Sequence, residues 1–501
     1  MNDSAPEAVE APLPDGSAEE HDLLATADAG PAAVRGGALR LTSYAAASLA
    51  ALGSGALLYR HLGVIDSGHY TAASSLVALV ATASDLGLTA VGIRELSIRR
   101  GEARQQMSRT LLGLRLLITS IGVLAVTLFA LLAYGPTLGL GVLLAGVGLV
   151  FTVWQGTLQL PLMVELRLGW TSAFEFLRQL LLSLLIVLFV LLGAHLLVFL
   201  TLPIPASVAV LALTVVIFRG RLPMRATFDV KEWRGLIAPV LSYAAAVAAG
   251  ALYFRVAVLL VSLLSNGYQL GYFSLSFNVM AALFSIPSML VGVAFPIFSR
   301  AAQDDHERLA YGIERVFEVS LIMGAWMSLA IALGAPLAIE AVGGPKFQPA
   351  AGVLAIQGIS VGAVFVGTVW AFGLLSLGRY RTILLFNIYA LCAAIAAVTV
   401  LAKLDGARGA AIGTSAVEVG NALIGLRLLT RGNRHLSPSL RVVPRAALAI
   451  AIAAVPALLP LSPAPRVALS LVLYAVALMA LRALPRELSA LLPKRLQRRS
   501  P

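Results

Sequence analysis

The chain alternates long apolar runs with short segments that hold most of its charge. Runs of about 20 residues, enough to cross a bilayer as helix, fall near 41–59, 69–93, 110–133, 137–160, 171–193 and 196–218. After a basic stretch they resume near 237–264, 268–298, 312–334, 349–377, 382–402, 407–428, 444–462 and 465–483. This pattern predicts an all-α polytopic membrane protein of about fourteen transmembrane helices. Residues 1–36 hold no such run, are rich in Ala, Pro, Asp and Glu, and carry no Lys or Arg before Arg35. They are expected to form a disordered acidic tail.

Composition agrees with the pattern. The chain is 59% hydrophobic and 12% charged, with a mean hydropathy of +0.89, whereas soluble domains hold about 25% charged residues. Its opening residues do not read as a cleavable signal peptide. A single cysteine, Cys392, lies in an apolar run, so no intrachain disulfide is expected and the residue reads as small core packing. The net charge of +12 does not point to nucleic acid, because the basic residues sit between apolar runs rather than on one face with aromatics.

Those basic residues orient the helices. One set of loops holds Arg94, Arg99, Arg100, Arg104 and Arg109; then Arg219, Arg221, Arg225, Lys231 and Arg234; then Arg427, Arg431, Arg434, Arg441 and Arg445. A C-terminal tail over 486–501, with Lys494, Arg495, Arg498 and Arg499, adds to that side. The alternate loops hold little beyond Arg60, Lys346, Lys403, Arg408 and Arg466. The asymmetry predicts that both termini are cytoplasmic. The largest outer loop, Gly334 to Pro349, is too short for a folded domain.

The chain also repeats. Ser43-Tyr44-Ala45-Ala46-Ala47 opens the first span and Ser242-Tyr243-Ala244-Ala245-Ala246 opens the seventh. Each is followed by an outer turn with an aromatic start to the next span, Gly68-His69-Tyr70 and Gly271-Tyr272-Phe273. Both spans begin inside, so the repeat is parallel, as in secondary transporters with a midplane site. The expected organisation is a six-helix lobe over 37–220, a basic linker over 221–236, a second six-helix lobe over 237–432 and two added helices over 433–485, with a central cavity between the lobes.

Few ionisable residues lie inside the spans, where each costs roughly 2.5–3.5 kcal/mol at a helix centre. They are Asp85, Arg115, Glu175, Arg178, Arg255, Glu318 and Glu418. Glu175 and Arg178 stand three apart on one helix face and can neutralise each other, and Arg115 is close enough to the inner end to snorkel. Arg255 has no acid within a turn, being surrounded by Tyr253, Phe254, Val256, Ala257 and Val258. Its partner must come from another helix, from water or from an anionic ligand. Asp85 and Glu418 read equally as coupling sites for a cation or as counterions for the arginines. Zinc-type His/Glu spacing, a phosphate-cradling Gly-rich loop and a nucleophile elbow are not seen, so neither a metal nor a cofactor is expected. Gly358 and Gly362 read as helix packing.

Tyr253-Phe254-Arg255, Gly271-Tyr272-Phe273, Ile286-Pro287 and Phe295-Pro296 together resemble the polysaccharide transport family of lipid-linked oligosaccharide flippases, in the multidrug/oligosaccharidyl-lipid/polysaccharide exporter superfamily. Asp85-Leu86-Gly87 through Gly92-Ile93-Arg94-Glu95 and Gly344-Pro345-Lys346-Phe347 through Ala350 fit the same family. One departure stands at Ala257, where many members carry an acid two residues after the arginine. The resemblance implies a flippase that moves a polyprenyl-diphosphate-linked saccharide from the inner to the outer leaflet of a bacterial plasma membrane, by alternating access. Arg255, Arg178 and Arg115 are then candidates to hold the diphosphate, Asp85, Glu418 and Glu175 to couple or counter charge, and Pro287 and Pro296 to act as hinges. Membrane lipid, and a polymerase or glycosyltransferases of the same pathway, are the implied partners. The competing readings are a cation-coupled drug exporter of that superfamily, a membrane polymerase or glycosyltransferase, for which outer catalytic carboxylates are scarce, and a major-facilitator transporter, whose basic Gly-Asp-Arg loop is not spelled here.

Overall fold

A computed structural model describes residues 29–85, 87–218, 225–237, 241–460 and 462–483. The acidic stretch up to residue 28, Leu86, Arg219, Arg221 and the basic tail from residue 484 lie outside the described residues. Every regular element among the described residues is helical. Among the described residues eleven helices are long and apolar enough to cross a membrane, and a shorter apolar stretch covers Val442–Leu458.

The first half of the chain forms α1 (Ala29–Asp85), α2 (Leu88–Ile98), α3 (Gly101–Tyr134), α4 (Pro136–Leu158), α5 (Leu160–Val164), α6 (Leu168–Leu191), α7 (Leu196–Thr201) and α8 (Pro203–Ile217). α1 begins at Ala29, inside the stretch read as a tail up to residue 36. It is two spans, not one. Gly63 takes a left-handed φ of 73°, which only glycine adopts cheaply, and the chain doubles back there. Tyr59 and Thr71 would be about 18 Å apart along a straight helix, yet their hydroxyls meet at 3.0 Å.

A linker helix, α9 (Val230–Ile237), covers the second half of the stretch read as a basic linker and runs one residue past it. Its apolar side docks on the first half: Trp233 is buried and its Nε1 donates to the Thr110 carbonyl at 3.1 Å. Glu232 accepts from the Thr110 hydroxyl at 2.7 Å, and Trp233 packs with Leu88 and Leu114.

The second half forms α10 (Leu241–Leu264), α11 (Gly267–Leu283), α12 (Ser285–Asp304), α13 (His306–Gly343), α14 (Ala350–Ser376) and α15 (Tyr380–Thr430). α15 is again two spans, reversed at Asp405 and Gly406, where Gly406 has φ 51°. A Cβ on Gly409 would strike the Leu401 carbonyl oxygen at 1.8 Å, so the two arms run back along each other. With both hairpins counted as pairs and the shorter apolar stretch included, about fourteen membrane-crossing segments result, as the hydropathy pattern predicts.

Two boundaries differ from the sequence expectation. The segment expected as one broken span near 268–298 divides at Phe284, just before Pro287; a proline there has no N–H for the Leu283 carbonyl one turn back. Pro296 lies within α12 itself. The outer loop expected from Gly334 is helical through Gly343, and the following turn Pro345–Phe347 buries Phe347 completely.

Each half packs through a few helix pairs. In the first, α1 lies against α3, α4 and α6; in the second, α10 lies against α15, and α14 against α13 and α15. Between halves, α1 meets α10, α11 and α13. The closing helices α16 (Val442–Ala454) and α17 (Pro463–Ala480) join the second half through α13, where the buried Tyr474 hydroxyl donates to the Ile322 carbonyl at 3.1 Å.

Candidate functional site

Tyr253, Phe254 and Arg255 are consecutive on α10, and a helix turns about 100° per residue. The three side chains therefore leave α10 in three directions. Tyr253 points into the second half, where its hydroxyl donates to Glu418 at 2.5 Å and accepts from the Asn421 amide at 3.0 Å. Phe254 packs on Phe277, with ring centroids 5.1 Å apart, and on Phe284 at 6.0 Å. Arg255 points across to the first half, making a long 3.5 Å contact to the Ser75 hydroxyl of α1.

The Arg255 guanidinium is 5.4 Å from the centroids of both Phe254 and Phe277. Ring quadrupoles partly replace the hydration that a cation loses in a span. The rings offer its N–H fork no oxygen acceptor, and no carboxylate pairs with Arg255 among the described residues. Beside it stands a polar seam between the halves. Tyr59 and Thr71, on the two arms of α1, share a hydrogen bond of 3.0 Å, and the Asn278 amide of α11 donates to the Tyr59 hydroxyl at 2.7 Å. Asn278 is held by its own helix through the Ser274 carbonyl at 2.9 Å.

Behind this seam lies a partly enclosed pocket lined by residues of the second half. Tyr253, Phe254, Ala257, Phe277, Gln357, Thr414 and Glu418 are among its walls. It offers about 50 Å³ for water centres, room for roughly three waters, or a small ion with part of its shell. Glu418 is its one carboxylate. Ala257, which stands where the resembled family often has an acid, lines this same space. Phe254 and Phe277 each touch both sites: one side walls the cavity, and the other faces the Arg255 guanidinium.

The remaining sequence candidates sit elsewhere. Arg115 of α3 is buried and forms a 2.8 Å ion pair with Asp85 at the end of α1, which also accepts from the Thr89 hydroxyl. Arg178 and Glu175 form a pair within α6, with the Glu175 side chain exposed. Arg115 and Arg178 thus each hold an acid while Arg255 holds none. Glu318, at the Arg-rich end of α13, pairs with Arg315 at 2.8 Å. Sequence reasoning missed Tyr59, Thr71, Ser75 and Asn278. Asn278, an amide in the middle of an apolar run, was the one local signal for them.

Solved structures share this fold. The lipid II flippase MurJ in an inward closed conformation matches with a TM-score of 0.72 at 12% identity, over 88% of this chain and 97% of that one. An inward-facing multidrug resistance MATE family transporter of the MOP superfamily matches at 0.60 with 15% identity, over 78% and 95%. The MATE multidrug transporter DinF-BH, solved as a complex, matches at 0.58 with 17% identity, over 81% and 96%. No curated protein matches the chain by sequence. The model of one family, described as "Polysaccharide biosynthesis protein", matches residues 57–399. That match takes in the turn and second arm of the α1 hairpin, the Tyr253-Phe254-Arg255 run and the polar seam, and this chain belongs to that family.

Proposed function

We propose that the protein is a flippase that carries a polyprenyl-diphosphate-linked saccharide from the inner to the outer leaflet of a bacterial cell membrane for cell-surface polysaccharide biosynthesis. The observation that carries this reading is Arg255, a cation in mid-span, stacked between aromatic faces at the seam of the halves, with its donors turned to no acid. A diphosphate has the charge and the paired oxygens to take a guanidinium fork. Tyr59, Thr71 and Asn278 offer neutral donors and acceptors beside it for phosphate or sugar hydroxyls. A glycan cannot cross hydrocarbon unaided, so the saccharide needs a polar path while the polyprenyl tail stays in lipid.

Residues 37–220 and 237–432 serve in this reading as lobes that rock about the seam. In the present arrangement their outer ends are joined. Arg60 of α1 donates to the Glu340 and Ala341 carbonyls of α13 at 3.1 and 2.6 Å, and Tyr134 of α3 bonds Ser262 of α10 at 2.6 Å. Opening to the outer leaflet breaks these contacts, and Pro287 and Pro296 give α12 room to bend. The Arg-rich ends and both termini face the cytoplasm, where glycosyltransferases supply the substrate; a polymerase consumes it outside. The substrate crosses chemically unchanged, so the role is that of a transporter rather than an enzyme.

A second reading, a cation-coupled exporter, draws on the Glu418 cavity, which has the size and the carboxylate for a proton or small cation. One experiment separates the two. Deletion of the gene followed by lipid extraction is expected to show a polyprenyl-diphosphate saccharide accumulating on the inner leaflet. Unchanged lipid-linked intermediates together with lost efflux of a small molecule favour the exporter.

A further inference from the structure

The open end of the α15 hairpin carries a second charged feature that plays no part in the proposed transport path. Two stripes face each other there. On the first arm, Arg381, Leu385 and Tyr389 follow at four-residue spacing; on the second, Ile424, Leu428 and Arg431 follow at spacings of four and three. Both spacings put each trio on one helix face. Each stripe has its arginine at the Arg-rich membrane face and its apolar members running about 12 Å toward the membrane interior. Between them lies a groove of about 750 Å³.

Arg379, from the turn that opens α15, completes the charged end. It is fixed in place, donating to the Leu428 and Arg431 carbonyls at 3.3 and 3.1 Å. Arg381 and Arg431 are exposed and have no acidic partner among the described residues, and no carboxylate lines the groove. Leu385 and Tyr389 are 58% and 51% exposed, so the walls below the arginines are open to lipid.

We infer that this groove is a binding site for an anionic phospholipid, its phosphate headgroup held by Arg379, Arg381 and Arg431 and its upper acyl chain lying along Leu385, Phe386 and Leu428. Three cations over an apolar slot match a headgroup with net negative charge; a zwitterionic headgroup would bring an ammonium against them. Basic pockets between helices at the cytoplasmic face hold anionic lipids for this reason. The groove is built from α15 and the turn before it, so it does not need the two halves to move.

The test uses the full-length protein in detergent, with phosphatidylglycerol and phosphatidylethanolamine of the same acyl chains, read by native mass spectrometry. The wild type is expected to retain one phosphatidylglycerol through gas-phase activation that strips phosphatidylethanolamine. The double variant Arg381→Ser/Arg431→Ser is expected to bind phosphatidylglycerol at least about tenfold more weakly. Arg434→Ser, at the same membrane face but outside the groove, is expected to bind as the wild type does. Equal retention of the two lipids, or an equal loss in Arg434→Ser, overturns the assignment. So does displacement of phosphatidylglycerol by farnesyl diphosphate at lower concentration, which would make the groove a docking place for the transported class of lipid instead.

Discussion

Gly68 and Gly271, each near the start of a helical arm that follows a turn, lie against each other. A Cβ on Gly68 would sit 2.9 Å from the Gly271 nitrogen, and one on Gly271 would sit 2.1 Å from the Val64 carbonyl oxygen. The two glycines let α1 and α11 approach to backbone contact, and this contact joins the two halves.

Substitution at this contact should act on conformation more than on folding. Gly271→Ala has to push the backbones of α1 and α11 apart, because the atom in the way is a carbonyl oxygen rather than a flexible side-chain tip. The expected outcome is a protein that folds but keeps its outer ends separated. In a Cys392→Ala background, cysteines replacing Arg60 and Ala341, bridged by a short bifunctional maleimide because the present 2.6 Å contact is made by the tip of the long Arg60 side chain, are expected to cross-link efficiently while Gly271 is kept. The yield should fall several-fold once Gly271→Ala is added. Equal yields would show that the halves tolerate the extra methyl and that the glycine contact does not hold the outer face closed.

Arg255 gives a sharper chemical prediction. Removing a charge-assisted hydrogen bond costs about 1.5–3 kcal/mol, so Arg255→Ala is expected to lower flipping of the diphosphate-linked substrate roughly ten- to hundredfold. Arg255→Lys keeps the charge but loses the fork and much of the stacking on Phe254 and Phe277, and should fall between. Both variants should be expressed at wild-type levels, since the guanidinium has no acid that its loss would strand. Wild-type delivery to the outer leaflet in the alanine strain removes Arg255 from the site.

Much of the fold was legible because bilayers impose simple rules. Span length and helical hydropathy leave marks along one dimension. The anomaly of Arg255 was also visible, since an unpaired cation in an apolar run is costly whatever surrounds it. What sequence could not supply was which face of α10 met which neighbour. The local acid of Arg178 could be read from the sequence, but the partner of Arg115 could not. Arg115 meets Asp85 from a different helix, thirty residues away, at 2.8 Å. Tyr59, Thr71 and Asn278 were missed because hydroxyls and amides are ordinary in apolar helices, and their convergence depends on the reversal at Gly63.

Glu418 and Tyr253 predict a separable phenotype. Glu418→Gln keeps the shape of the cavity and an acceptor for Tyr253 but removes the ionisable group. If the cavity couples transport to an ion, flipping in proteoliposomes should lose its stimulation by an imposed proton or sodium gradient while basal exchange continues. Tyr253→Phe, which loses the 2.5 Å bond to Glu418 and the 3.0 Å bond from Asn421, should weaken the gradient response without abolishing it. Gradient-stimulated flipping that survives Glu418→Gln assigns the carboxylate a purely structural role.

The Asp85–Arg115 pair leads to a prediction of the opposite kind, on stability. Arg115 is buried and its Nε has no partner, while the Asp85 side chain is 45% exposed. Breaking a buried pair strands a charge and can cost 3–5 kcal/mol, but the exposed acid lets water reach the arginine, so about 1–3 kcal/mol is the better expectation here. Asp85→Asn should therefore lower the unfolding temperature measured in detergent, and Arg115→Leu alone should lower it less, because a partly exposed carboxylate is easily hydrated. The double variant Asp85→Asn/Arg115→Leu should recover much of the loss from Asp85→Asn, a coupling that two independent sites would not show. If the double variant instead loses flipping while stability recovers, Arg115 acts on the substrate as well as on Asp85, and the diphosphate site extends beyond Arg255.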